Sequence, residues 1–318
     1  MRVLVSTKLP LEGFASLMEK FEVVFPESDI FSKEEVIQII PSFDAFISTF
    51  QFKVDKEVID AGVSGRLKII ANYGVGYDNV DVEYAAKKGI VVTNTPDPVT
   101  EPTAEHTIGL MLAAARRISE CDRKLRIPNG LKWGLLENLG QSLYGKTLGI
   151  IGMGRIGKAV ARRALAMDMK IIYYQRNRLD PTLEEQFKAE FIEQKTLLSE
   201  SDVVTLHLPL NENTYHLMNE ETLRLMKSTA ILINTARGPI VDEKALLKAL
   251  KNHWIAAAAL DVFENEPDIT SGLLELDNVV LSPHNGTATL EARNEMSKFA
   301  AQNIINFFEG NGNITKVN

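Results

Sequence analysis

Thr147-Leu-Gly-Ile-Ile-Gly152-Met-Gly154-Arg155-Ile156-Gly157 decides how this chain is read. A short apolar run ends in a G-x-G-x-x-G turn, and a helix-like stretch, 158–167, follows. In that setting the first glycine permits a tight turn. The second lets backbone approach a pyrophosphate, and the third lets helix and strand pack closely. The N-terminus of that helix offers free N–H groups to an anion, and Arg155 and Ile156 of the turn are expected at the cofactor. Strand, turn and helix together predict a dinucleotide site.

Working downstream, strand-like runs recur at 170–174, 202–206, 230–234, 256–261 and 278–281. With 147–151 they make six strands joined by helical crossovers, a complete Rossmann sheet. Upstream, short runs at 2–6, 21–25, 44–48, 67–71 and 90–93 are separated by amphipathic stretches such as 33–40 and 82–88, the latter closing at Gly89. These runs are β-branched and lack a period of two, as parallel strands covered on both faces do. The predicted fold class is α/β with two doubly wound parallel-sheet domains. One is a flavodoxin-like substrate domain, residues 1–98 and 287–318. The other is an inserted cofactor domain, 99–286. The Pro-rich 95–102 marks the crossover between them. A long helical pattern, 103–126, and an irregular Gly-containing segment, 128–141, follow it; a last helix spans 290–308.

Length and composition agree. At 318 residues the chain suits two domains, and 45% hydrophobic with 24% charged residues is ordinary for a globular protein. A net charge of −7 argues against nucleic acid or an anionic membrane as partner. The one cysteine, Cys121, excludes an internal disulfide and a Cys-based metal site, and no metal is expected. Met1–Ser6 reads as a strand rather than a signal peptide, and no 18-residue apolar run occurs, so a cytoplasmic protein is expected.

The end of the second Rossmann strand selects the dinucleotide. A carboxylate there would bind the adenine ribose hydroxyls, but the sequence reads Tyr173-Tyr174-Gln175-Arg176-Asn177-Arg178. An arginine can hold a 2′-phosphate that a carboxylate would repel. NADPH is therefore expected over NADH, with Gln175, Arg176 and Asn177 at the ribose. A neutral pocket of Gln175 and Asn177 that takes both cofactors is the competing reading.

Three later strands deliver chemistry to the same carboxyl edge, where open α/β sheets bind ligands. Arg237 follows the strand 230–234, Asp261 ends its own strand with Glu266 five residues on, and His284 follows 278–281. Of the five histidines, His106 is expected to cap or pack within its helix and His253 to lie on the surface, while His216 has no assigned role.

These motifs, with Tyr73-Gly-Val-Gly-Tyr-Asp-Asn-Val-Asp81, Thr103-Ala-Glu-His-Thr107 and His207-Leu-Pro-Leu210, resemble those of the D-isomer-specific 2-hydroxyacid dehydrogenases. Within that family the chain looks most like the NADPH-using glyoxylate and hydroxypyruvate reductases. The resemblance implies that His284 protonates a carbonyl oxygen as hydride arrives, with Glu266 orienting its ring. Arg237 would grip the substrate carboxylate, aided by N–H groups at Val75 and Gly76. Asp261 would meet the nicotinamide carboxamide. Thr107, His207, Pro209, Thr214, Thr235, Ala236 and Gly286 would line the cofactor. The loop 49–53, with Phe50 and Gln51, looks flexible and should face the substrate, its two aromatics favouring small, weakly polar groups. Trp133 would belong to a homodimer contact, or else pack beneath the crossover. Phosphoglycerate dehydrogenase-like and D-lactate dehydrogenase-like enzymes are the enzymatic alternatives. A nucleotide-sensing corepressor is the alternative from another class; it would not require Arg237, Glu266 and His284 together.

Overall fold

The computed structural model describes residues 1–318. Two compact units emerge, Met1–Pro102 with Thr287–Asn318, and Thr103–Gly286.

In the first unit the strands are β1 (Arg2–Val5), β2 (Glu22–Val24), β3 (Ala45–Thr49), β4 (Ile69–Tyr73) and β5 (Val91–Thr93). They form an all-parallel sheet in the order β2-β1-β3-β4-β5. Every residue of β3 and β4 is buried, because apolar side chains cover both faces. On one face Val36, Ile59 and Phe46 pack together; on the other lie Phe14, Leu17 and Ile304. Ile304 belongs to the C-terminal helix Leu290–Glu309, whose carbonyl at Arg293 accepts the Tyr73 hydroxyl at 2.6 Å. That helix therefore completes this unit's core.

The second unit holds β6 (Thr147–Ile151), β7 (Lys170–Tyr174), β8 (Ala189–Phe191), β9 (Val203–Leu206), β10 (Ile231–Asn234), β11 (Ala257–Leu260) and β12 (Val279–Leu281). Their order is β12-β11-β10-β9-β6-β7-β8, again all parallel. The order reverses between β6 and β9, the switch point at which such sheets open a crevice. Ile151, Leu206, Asn234, Leu260 and Leu281 are register partners across five strands. The residues that follow them, Gly152, His207, Thr235, Asp261 and Ser282, thus leave the sheet in one row.

Two expectations are corrected. The sheet has seven strands, not six, because Ala189-Glu-Phe191 pairs with β7. Also, the long helix begins at Pro96 inside the stretch read as an irregular crossover, and it ends at Ala115. Pro96 and Pro98 sit in its first turn, where the missing N–H would have had no partner. Pro102 does forfeit a bond within the helix. A break at Arg117, whose φ is +55°, separates this helix from a second, Ile118–Leu125. No helix is long and apolar enough to cross a membrane.

Candidate active site

The glycine turn carries the geometry its spacing implies. Gly152 adopts φ +98°, and a Cβ there would lie 2.4 Å from the His207 carbonyl oxygen, so no other residue fits. A Cβ on Gly157 would lie 2.3 Å from the Gly152 oxygen, the close packing of helix on strand. Gly154 faces open space instead. It is the N-cap of the helix Arg155–Leu165, with no side chain capping it, so the N–H groups of Arg155 and Ile156 stay available to an anion. This backbone fits a dinucleotide pyrophosphate.

At the end of β7 the four residues divide in function. Gln175 Oε1 accepts the Met153 N–H at 3.1 Å, and its Nε2 donates to the Asn177 carbonyl at 2.7 Å. Gln175 therefore braces the glycine turn against this loop. Arg178 forms a bidentate pair with Glu184, both bonds 2.8 Å. Arg176 is exposed and committed to no carboxylate.

Beyond β9, His207 donates its backbone N–H to Ile151 at 2.8 Å, and its ring lies 3.0 Å from Thr205 Oγ1. Desolvation draws its imidazole down to about 3. Thr214 spends its hydroxyl on its own loop, donating to the Pro209 carbonyl at 2.7 Å. Thr107 is buried, and its hydroxyl lies 2.9 Å from Thr235 Oγ1, tying helix to sheet below Ala236.

Arg237 follows β10 and is half-buried; its Nη1 donates to the Ala236 carbonyl at 2.8 Å. Asn234 brackets the turn, accepting the Ala236 N–H and donating to the Arg237 carbonyl. A Cβ on Gly238 would lie 1.9 Å from the Phe263 carbonyl, so that glycine lets the Arg237 loop rest directly on the loop carrying Glu266. His284 Nδ1 stands 2.8 Å from Glu266 Oε2. A carboxylate only accepts, so the proton of this pair sits on Nδ1. Asp261, 1% exposed, accepts the Asn285 N–H at 2.7 Å and the Gly286 N–H at 2.8 Å.

His106 is a correction. It does not cap or pack within its own helix, for its Nε2 lies 3.1 Å from Asp261 Oδ1 and 3.1 Å from Ser282 Oγ. Its place three residues after Thr103 and beside Thr107 put it on the sheet-facing side, which was the available signal. His216 meets Glu264 Oε1 at 2.5 Å, and His253 is exposed as expected.

In the first unit, Val75 and Gly76 follow β4, and neither N–H finds a protein acceptor. The side chain of Asn72 holds the Gly76 carbonyl at 2.8 Å, which fixes that turn. The loop 49–53 is pinned rather than flexible: Asn79 Nδ2 donates to the carbonyls of Thr49 and Phe52 at 3.0 and 3.2 Å. Only one of its aromatics is partly exposed, Phe50, beside the exposed Gln51; Phe52 is buried against Phe46.

A doubly wound sheet with this glycine turn and an Arg, Glu and His on its carboxyl edge defines a nicotinamide-dependent oxidoreductase. Residues 108–286 match the family model for D-isomer specific 2-hydroxyacid dehydrogenase, NAD binding domain. The glyoxylate reductase of Thermococcus onnurineus (strain NA1) is 47% identical over 100% of this chain and 96% of its own length. A glyoxylate reductase structure from Paecilomyes thermophila superposes with a TM-score of 0.89 at 35% identity, over 100% of this chain and 98% of that one. An NADPH-dependent glyoxylate/hydroxypyruvate reductase from Sinorhizobium meliloti, in complex with NADP and malonate, gives 0.86 at 35% identity, over 99% and 96%. The chain belongs to the D-isomer-specific 2-hydroxyacid dehydrogenase family and is an NAD(P)-dependent 2-oxo acid reductase.

Proposed function

We propose that the chain reduces a small 2-oxo acid, glyoxylate or hydroxypyruvate, to the D-2-hydroxy acid with NADPH. The observation that carries this reading is the His284–Glu266 pair at the end of β12. The relatives named for the same reaction support the substrate class. When bound, the nicotinamide supplies the hydride.

The residues divide the remaining work. His284 Nε2 gives its proton to the substrate carbonyl oxygen, while Glu266 holds the ring by Nδ1. Arg237 pairs with the substrate carboxylate and draws electron density from the carbonyl. The free N–H groups of Val75 and Gly76 suit a carboxylate too. We assign Asp261, at the end of its strand, to the nicotinamide carboxamide and Arg176 to the 2′-phosphate. We infer a homodimer as well, because large apolar side chains crowd the surface of 118–144, with Trp133, Leu135 and Leu136 at 84%, 97% and 85% exposure.

NADPH oxidation with a panel of 2-oxo acids, run beside His284→Asn, tests the reading. The variant should lose roughly 10²–10⁴-fold in kcat and still bind NADPH. Near-normal turnover by His284→Asn would remove the assignment.

A further inference from the structure

Asp261 is nearly inaccessible, yet it stays ionised. Burial raises its pKa, but hydrogen bonds from His106, the Asn285 N–H and Ser282 lower it by more. An ionised carboxylate only accepts, so the Nε2 that His106 places 3.1 Å from Oδ1 must carry the proton. The same carboxylate takes the N–H groups of Asn285 and Gly286, and the Asp261 backbone oxygen takes the His284 N–H at 2.7 Å. Three successive N–H groups of the loop bearing His284 therefore hang on one aspartate. Glu266 leaves the same residue by a short loop, its Oε1 accepting the Phe263 N–H at 3.1 Å. His284 itself sits at φ +54°, a conformation that a residue with a Cβ keeps only where its surroundings impose it.

We propose that His106 is a positioning residue: by holding Asp261 and Ser282 together from the helix Pro96–Ala115, it fixes the loop that sets His284 against Glu266. The carboxylate has about four acceptor sites, and His106, Ser282 and the two N–H groups are the donors that satisfy them. Without His106 this buried group is one donor short. It regains one by turning or by admitting water, and either motion carries Asn285 and Gly286 with it. A displacement of about 1 Å in an acid–base group is enough to cost up to 10²-fold in turnover.

The proposal rests on His284 being the proton donor. Three variants test it. His106→Leu removes the donor. His106→Gln restores one, since Gln Nε2 reaches as far as His Nε2. His106→Asn stops short of Asp261 and replaces the leucine variant should that one fail to fold. Expected for His106→Leu is a kcat about tenfold or more below wild type, with KM for both substrates little changed. In the cofactor-free protein, the downfield proton resonance of His284 Nδ1–H, held against Glu266, should broaden or vanish. His106→Gln should recover both. An unchanged resonance in folded His106→Leu overturns the proposal, whatever happens to kcat; so does a failure of His106→Gln to recover either property. His284→Asn separates the two readings. If it abolishes turnover while His106→Leu does not, the positioning role alone falls. If it leaves turnover intact, the assignment of His284 falls first.

Discussion

Arg178 grips both carboxylate oxygens of Glu184, through Nε and Nη2 at 2.8 Å each. Glu184 also accepts the Tyr173 hydroxyl; together, Arg178 foremost, these donors draw it down to about 2. Of the two arginines at the end of β7, Arg176 is therefore the one at liberty to meet a phosphate. One charge-assisted contact is worth roughly 1.5–3 kcal/mol, which is about 10–150-fold in cofactor preference. Arg176→Asp should invert the ratio of kcat/KM for NADPH over NADH, mainly through KM. Arg178→Ala should leave that ratio unchanged. Steady-state kinetics with both cofactors checks the pair, and equal use of the two by wild type would sink the assignment of Arg176.

Gly238 lets two functional loops touch. A Cβ there would stand 1.9 Å from the Phe263 carbonyl, and backbone cannot swing aside as a side chain does. Gly238→Ala should cost about 1–3 kcal/mol of stability, read from urea unfolding. Its kcat should fall as well, because Arg237 and the Glu266 loop are pushed apart. A variant as stable as wild type would show that this contact is looser than drawn.

His207 should be neutral in the native protein at every working pH. Its folded value of about 3 lies below the ordinary 6.5, so the unfolded chain binds the extra proton first. The stability it contributes is complete above pH 6.5 and is lost as pH falls towards 3. Between those limits the slope from this one group reaches at most ~1.4 kcal/mol per pH unit. Unfolding free energies at pH 7, 6 and 5 should converge between wild type and His207→Gln as the pH drops. A constant difference between the two would show that the ring titrates normally.

The apolar surface of 118–144 should be covered in solution. Light scattering at micromolar concentration should give twice the chain mass, and Trp133→Asp with Leu135→Asp should shift it towards the single chain. A wild-type protein that scatters as one chain refutes the dimer.

Sequence alone conveyed the sheets well and the tethers poorly. Apolar runs such as 147–151 and 202–206 show themselves because both faces of a parallel strand are buried. Ala189-Glu-Phe191 has no such run: it is three residues long at a sheet edge, and β7 recruits it by backbone pairing. Prolines 96, 98 and 102 look like breakers, although the first two stand where a helix needs no N–H. The turn at Arg117 has neither glycine nor proline to announce it. At the candidate site, the positions of Arg237, Glu266 and His284 beyond the carboxyl edge were legible because each comes after an apolar run that forms a strand. For His106 only the sheet-facing side of its helix was legible, since its partner Asp261 lies 155 residues away and the folded register brings them together. The pinning of Phe52 and the capture of Arg178 are likewise tertiary facts.

The clasp on the His284 loop also bears on how the protein ages. Asn285-Gly286 is the dipeptide most prone to deamidate, because an unhindered glycine lets the next backbone nitrogen attack the asparagine side chain and close a succinimide. Here that nitrogen is the Gly286 N–H, held 2.8 Å from Asp261 Oδ2. The attacking atom is thus withheld by the carboxylate that holds the loop, and the folded state shields the turn beside His284 from chemical wear that the unfolded chain would suffer.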